Sequence, residues 1–235
     1  MAINILLLAA GKGQRFQSSL LNAQSDASNQ PVKQLASFHR NALVNHCLKQ
    51  LKPLPNIFAD VGDIYLCLGA NKSLIEAEIP RGITRIYPKN WSLGLGHSIA
   101  ESVEALASKS SHILIALADQ VLVNTEHFQQ LLCASSRAPE KIIASEVDNK
   151  LMVPVIFPKH YFQALSTLQG DKGAAKLLNK YQANVQSVPC QAAKYDIDTN
   201  EDLQQAEQLY AQQQQQQQQP FTTNNNSHCD NLEPV

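Results

Sequence analysis

A stretch near the N-terminus, Ile3 to Arg15, reads INILLLAAGKGQR and restricts the fold more than any other. Ile3, Ile5, Leu6, Leu7 and Leu8 make a short, nearly unbroken apolar run. Such a run suits a central parallel strand, which is buried on both faces and needs no polar side. Ala9, Ala10, Gly11 and Gly13 follow, with Lys12 between the two glycines. Where a strand ends in small residues, backbone N–H groups approach a ligand closely, and such nests favour anions. Lys12 and Arg15 add two positive charges. Two readings fit this stretch equally: a loop that wraps a nucleotide triphosphate, or a glycine turn flanked by solvated cations.

The rest of the body alternates strand and helix patterns. Strands are expected at Asp63 to Leu68, Thr84 to Tyr87, Ser111 to Ala118, Lys141 to Ser145, Met152 to Phe157 and Asn184 to Val188. Helical patterns cover about Ala42 to Leu51, Ser73 to Ala77, His97 to Ser108, Thr125 to Cys133, Lys159 to Leu168, Ala174 to Tyr181 and Glu201 to Ala211. Residues 17–31 are rich in Ser, Asn and Gln and are expected to form a mobile loop, either a lid or a plain surface insertion. This alternation predicts an α/β domain over residues 1–211, with a mainly parallel sheet and ligands at the carboxyl ends of its strands. From Gln212 come eight consecutive glutamines and then PFTTNNNSHCDNLEPV. That composition cannot bury a core, so 212–235 are expected to be a disordered tail.

Composition excludes several classes. The formal net charge is −1, which points to neither nucleic acid nor an acidic membrane. The five cysteines form no C-x-x-C pair, and the seven histidines lack ligand spacing. That argues against a disulfide framework and a zinc site, and fits a reducing compartment. The N-terminal apolar run is too short to span a bilayer and lacks a basic leader region. A cytoplasmic location is expected.

Six of the nine glycines fall in three pairs: Gly11 and Gly13, Gly94 and Gly96, Gly170 and Gly173. Asp119 ends a hydrophobic strand, where a carboxylate faces a ligand crevice; it is either a Mg²⁺ ligand or a helix cap. Asp196 and Asp198 alternate along an extended segment, which would put both on one face to hold a cation. Asp198 could equally cap the last helix. Lys33 is either a point charge for a phosphate or a solvated lysine.

These pieces occur in an order that resembles the MobA-like nucleotidyltransferases, most closely the molybdenum cofactor cytidylyltransferase branch. The opening motif L-A-A-G-x-(S/G)-x-R matches Leu8 to Arg15, and the lysine that follows matches Lys33. The G-x-x-x-S helix start resembles Gly94 to Ser98, and L-A-D-Q-P matches Leu117 to Val121 except at the proline. P-x-L-F resembles Pro154 to Phe157, L-x-G-D-x-G-A-R-x-L-L resembles Leu168 to Leu178, and D-I-D-T-P-E-D-L resembles Asp196 to Leu203. The departures are Phe16-Gln17 for Met-Gly, a longer loop before Lys33, no glycine near Arg40-Asn41, Val121 for the proline, Met152-Val153 before Pro154, and Lys176 for arginine.

The resemblance implies a Rossmann-like nucleotidyltransferase fold that uses Mg²⁺ to transfer an NMP, favouring CMP from CTP, to a phosphate-bearing acceptor such as molybdopterin. It implies Arg15, Lys33 and Asp119 as catalytic residues. Leu8, Ala9, Ala10, Gly11, Lys12, Gly13, Gly94 and Ser98 would bind the nucleotide. Gln120, Pro154 and Asp171 would contact the acceptor, and Asp119, Asp198 and Asp196 would hold the metal. The departures touch the acceptor side, so two other readings stand beside this one. One is the same chemistry on a sugar or polyol phosphate. The other is a non-catalytic nucleotide- or pterin-binding partner of a molybdoenzyme.

Overall fold

The computed structural model describes residues 2–21 and 31–218. In chain order its elements are β1 (Ala2–Ala9), α1 (Gln14–Leu21), the small hairpin β2 (Ser37–Phe38) and β3 (Asn41–Ala42), α2 (Leu43–Leu51), α3 (Leu54–Ile57) and β4 (Val61–Leu68). Then come α4 (Lys72–Glu78), β5 (Thr84–Ile86), α5 (Leu95–Leu106), β6 (Ser110–Leu117), α6 (Thr125–Arg137), β7 (Ile142–Val147) and β8 (Lys150–Pro158). The chain continues through α7 (Phe162–Ser166), α8 (Ala175–Lys180), β9 (Val185–Pro189) and α9 (Asn200–Gln218).

The apolar run of β1 is central, as its composition demands. The main sheet has seven strands in the order β5-β4-β1-β6-β8-β7-β9. β1 pairs in parallel with β4 on one side and β6 on the other. Side chains alternate across a strand. Ile3, Ile5, Leu7 and Ala9 therefore enter one core layer with α2, α6 and α9, while Leu6, Leu8 and Ala10 enter the other with α5, α7 and α8. Ile5, Leu6 and Leu7 are all but fully buried; each contributes roughly 1.5–3 kcal/mol by leaving water. The fold is a Rossmann-like α/β domain with a mostly parallel sheet, as expected.

Four expectations need correction. Residues 17–21 are not loop: α1 starts at Gln14, anchored by Phe16 at 1% exposure. The lid expected within 17–31 falls mainly at 22–30, outside the described residues. β8 runs antiparallel to both β6 and β7, because the tight turn at Asp148 and Asn149, both with positive φ, reverses the chain after β7. The helix expected over Lys159 to Leu168 is a 3-10 turn, Lys159–Tyr161, leading into the short α7. The last helix does not end at Ala211 but runs on to Gln218, so the expected domain boundary falls inside it.

Candidate active site

β1 and β6 end side by side, with Leu8 opposite Leu117 in the parallel register. Their exits carry the Ala9–Gly13 loop and Asp119 to one edge of the sheet. Ala118 N–H donates to Leu8 O at 3.0 Å and Ile197 N–H to Asp119 O at 3.0 Å. The second bond hangs the 196–199 segment beside Asp119. Three separate pieces of chain thus meet at the carboxyl ends of the central strands, where ligands bind in open α/β sheets.

Lys33 stands at the junction. Its Nζ lies 2.7 Å from Asp119 Oδ2 and 3.2 Å from Asp198 Oδ1. Arg15 reaches the other Asp198 oxygen at 2.9 Å. Burial would lower the pKa of the Lys33 ammonium; Asp119 first, then Asp198, outweigh that and raise it. Gly13 leaves the lysine its room; its φ is +67°, a region L side chains avoid. A Cβ there would lie 2.7 Å from Lys33 Cβ.

Both aspartates are released from capping. α6 is capped by Asn124, whose side chain accepts from His127 N–H at 3.0 Å. α9 is capped reciprocally: Asp202 accepts from Thr199 N–H at 2.7 Å, and Thr199 Oγ1 accepts from Asp202 N–H at 3.2 Å. Asp119 Oδ1 is buried without a protein partner. A hard oxygen left free beside a second carboxylate suits Mg²⁺, which binds through one or two carboxylates and completes its shell with water and substrate phosphates. Among the described residues no group of three His, Cys, Asp or Glu makes an all-protein metal cage.

A cleft of about 500 Å³ opens in front of this cluster. It is lined by Ala10, Gly11, Lys12, Gly13, Arg15, Lys33, Gly94, Ser98, Asp171 and Asp198, along with Trp91. Leu8, Ala9 and Asp119 line a smaller adjoining pocket of about 140 Å³. The far wall is built by docking the start of α5 on the 169–171 loop. Gly96 N–H donates to Gly170 O at 2.7 Å, and Gly170 N–H donates to His97 Nδ1 at 3.2 Å. Gly94, at φ +116°, leaves room for Asp171; a Cβ there would lie 2.5 Å from Asp171 Oδ1.

Three expected site residues sit elsewhere. Gln120 is buried and donates to Val153 O at 3.3 Å and Ala193 O at 3.0 Å, beneath Asp119 rather than in the cleft. Pro154 is buried, and its carbonyl accepts from Ser145 Oγ at 2.8 Å. Asp196 lines neither of these two cavities, and the segment that carries it and Asp198 is not a regular strand. Although Asp196 keeps an exposed surface, its carboxyl is pushed up to about 6. The dense protein on its inner side is the main cause, followed by Asp119; Gln120 pulls the other way.

Two residues of the site were not singled out from the sequence. Trp91, the chain's single tryptophan, lines the cleft with Lys12 Nζ 5.8 Å from its ring centre. A lone tryptophan beside a glycine pair was the available signal. Gln34 lies under the glycine loop and gave no signal beyond its position next to Lys33.

A glycine loop with two cations, a buried lysine between two aspartates that cap no helix, and a cleft at the strand ends fit an NTP-using transferase domain. The chain belongs to the MobA-like NTP transferase family, whose domain matches residues 5–185. The bifunctional protein GlmU of Francisella philomiragia is 25% identical over 174 residues, 74% of this chain and 34% of GlmU. The purine catabolism protein PucB of Bacillus subtilis is 31% identical over 111 residues, 43% of this chain and 53% of PucB. The chain thus spans about a third of the length of that GlmU and half that of PucB. Among solved structures, a nucleotidyl transferase from Methanothermobacter superposes with a TM-score of 0.74 at 14% identity, covering 90% of this chain and 99% of that one. Rv0371c of Mycobacterium tuberculosis, in complex with manganese, gives 0.68 at 18% identity, covering 88% and 99%. These two likenesses are of fold. Among the described residues no helix is long and apolar enough to cross a membrane.

Proposed function

We propose that this nucleotidyltransferase moves CMP from CTP to a phosphate-bearing acceptor, molybdopterin being the favoured one, with Mg²⁺ as its metal. The observation that carries the reading is the arrangement of Asp119 and Asp198 around Lys33 at the mouth of the glycine loop. The cytidylyl and molybdopterin assignments rest on the resemblance of Leu8 to Gly11 and Asp196 to Leu203 to that branch of the family.

The N–H groups of Gly11 to Gly13, with Lys12 and Arg15, hold the triphosphate. Lys33 fixes both aspartates through its ion pairs and offsets phosphate charge in its turn. Mg²⁺ held by Asp119 and Asp198 would neutralise charge at the α-phosphate. An oxygen of the acceptor phosphate attacks the α-phosphorus in line, and the bond to the β-phosphate breaks to release pyrophosphate. The second pKa of a phosphate monoester is near 6, so the acceptor is already a nucleophile and no general base is needed. The residues are asked for alignment and charge neutralisation.

The test is pyrophosphate release from each of the four NTPs with Mg²⁺, with molybdopterin, a sugar phosphate, a polyol phosphate or no acceptor. Release fastest with CTP, and dependent on molybdopterin, is expected. Turnover with another phosphate acceptor would move the protein to a different substrate class. NTP binding without turnover on any acceptor would make it a binding partner.

A further inference from the structure

Gln34 is 4% exposed and its side-chain amide donates to Gly11 O at 2.8 Å and Ala9 O at 3.3 Å. Between them, Ala10 O accepts from Ala70 N–H at 3.1 Å. Three successive carbonyls of the loop are therefore tied down by the protein. A trans peptide is planar, so the N–H that follows each carbonyl points the opposite way. The Lys12 N–H faces away from Gln34, and the Gly11 N–H faces away from Ala70. Both residues line the cleft.

The amide's orientation is set by these partners, because turned over its oxygen would oppose two carbonyl oxygens. Its Oε1 is left buried with no partner. An unpaired buried acceptor is a cost that an apolar side chain of the same shape would avoid. The side chain is thus kept for its two donors. We propose that Gln34 is a positioning residue: it locks the peptide planes of the glycine loop so that their N–H groups are presented to the nucleotide's phosphates.

This proposal rests on the nucleotide reading of the cleft, and the experiment separates the two. Trp91, as the single tryptophan in the cleft, reports CTP binding by its fluorescence. Gln34→Met keeps the volume and removes both donors. With Mg²⁺ present it is expected to melt within a few degrees of the parent, bind CTP at least about tenfold more weakly, and raise the KM for CTP more than it lowers kcat, while the KM for the acceptor stays put. Two net hydrogen bonds support a change of that size. Unchanged CTP affinity in a folded Gln34→Met protein overturns the proposal. If the parent protein itself fails to bind any NTP, the nucleotide reading falls instead. Should Gln34→Met not fold, the unaltered protein still decides. Its Gln34 side-chain N–H₂ signals must be resolved and slow to exchange, and fast exchange of both protons refutes the lock.

Discussion

Lys33 Nζ lies between Asp119 Oδ2 and Asp198 Oδ1, at 2.7 and 3.2 Å. The lysine therefore serves the two carboxylates as much as any phosphate. Left without it, they would face each other across a partly dry space. Removing one partner of a buried pair leaves an uncompensated charge, which costs more than the pair itself contributes.

Asp119→Asn keeps the size and removes the charge. Because Asn124 caps α6 and Asp198 still pairs with Lys33, no cap is lost, the lysine keeps a counter-charge, and the fold should persist. Turnover should fall by at least about a hundredfold, about 2.7 kcal/mol of transition-state stabilisation, and added Mg²⁺ should restore only part of it. Melting temperature and pyrophosphate release on the same sample check this; near-normal turnover would remove Asp119 from the mechanism.

CTP should be used in preference to GTP. Ala10 lines the cleft within the Leu8 to Gly11 stretch that resembles the cytidylyl branch, and on the proposed reading its methyl would narrow the space beside the base. Small steric differences of this kind are worth roughly 1–3 kcal/mol. Comparing kcat/KM for the two nucleotides tests it, and equal values would withdraw the cytidylyl assignment while leaving nucleotidyl transfer untouched.

The two glycines of the loop should respond differently to alanine. Gly13→Ala forces a side chain into the left-handed region, costing about 1–2 kcal/mol, and pushes on Lys33 Cβ. A drop of roughly 2–8 °C in melting temperature is expected, given about 2–4 °C per kcal/mol for a chain of this size. A Cβ at Gly11 meets nothing within 4 Å. Gly11→Ala should melt like the parent yet bind CTP more weakly, since its methyl occupies space meant for phosphate.

Acid should weaken the fold through two histidines. Burial first of all lowers His46 and His127 from 6.5 to about 4. Between those values the unfolded chain binds the extra protons, so the stability present above pH 6.5 is lost as the pH falls towards 4. The loss amounts to roughly 2–3 kcal/mol for each. Asp196, raised to about 6, acts in the opposite sense below pH 6, but its exposed surface keeps that term small. Urea unfolding at pH 7.5 and 4.5 measures the loss, and His127→Gln should shrink it. A parent protein equally stable at both values would contradict the assignment.

Much of the frame was legible because its causes are local. The apolar run of β1 predicts burial on both faces, and SHILIALA before Asp119 predicts a buried strand opening on a crevice. α1 was hidden because Gln14 to Leu21 is mostly polar; Phe16 enters the core and Leu20 packs against it. The direction of β8 was hidden because alternation sets which face a residue takes, not which way the strand runs. Lys33 was legible as a charge but not as a bridge, since its partners stand 86 and 165 residues away in sequence. Gln34 escaped notice because a glutamine's role depends on which carbonyls lie within reach.

Arg15 and Asp198 touch across a sequence separation of 183, so an early loop is finished by a segment far downstream of it. On the ribosome β1 and the glycine loop emerge early and wait for their second carboxylate. A nascent chain stalled before Asp198 clears the exit tunnel would carry the cradle but half of the aspartate pair. CTP capture by such stalled chains of increasing length would then time the closing of the domain, with binding appearing only once the 196–202 segment is free to dock beside Asp119.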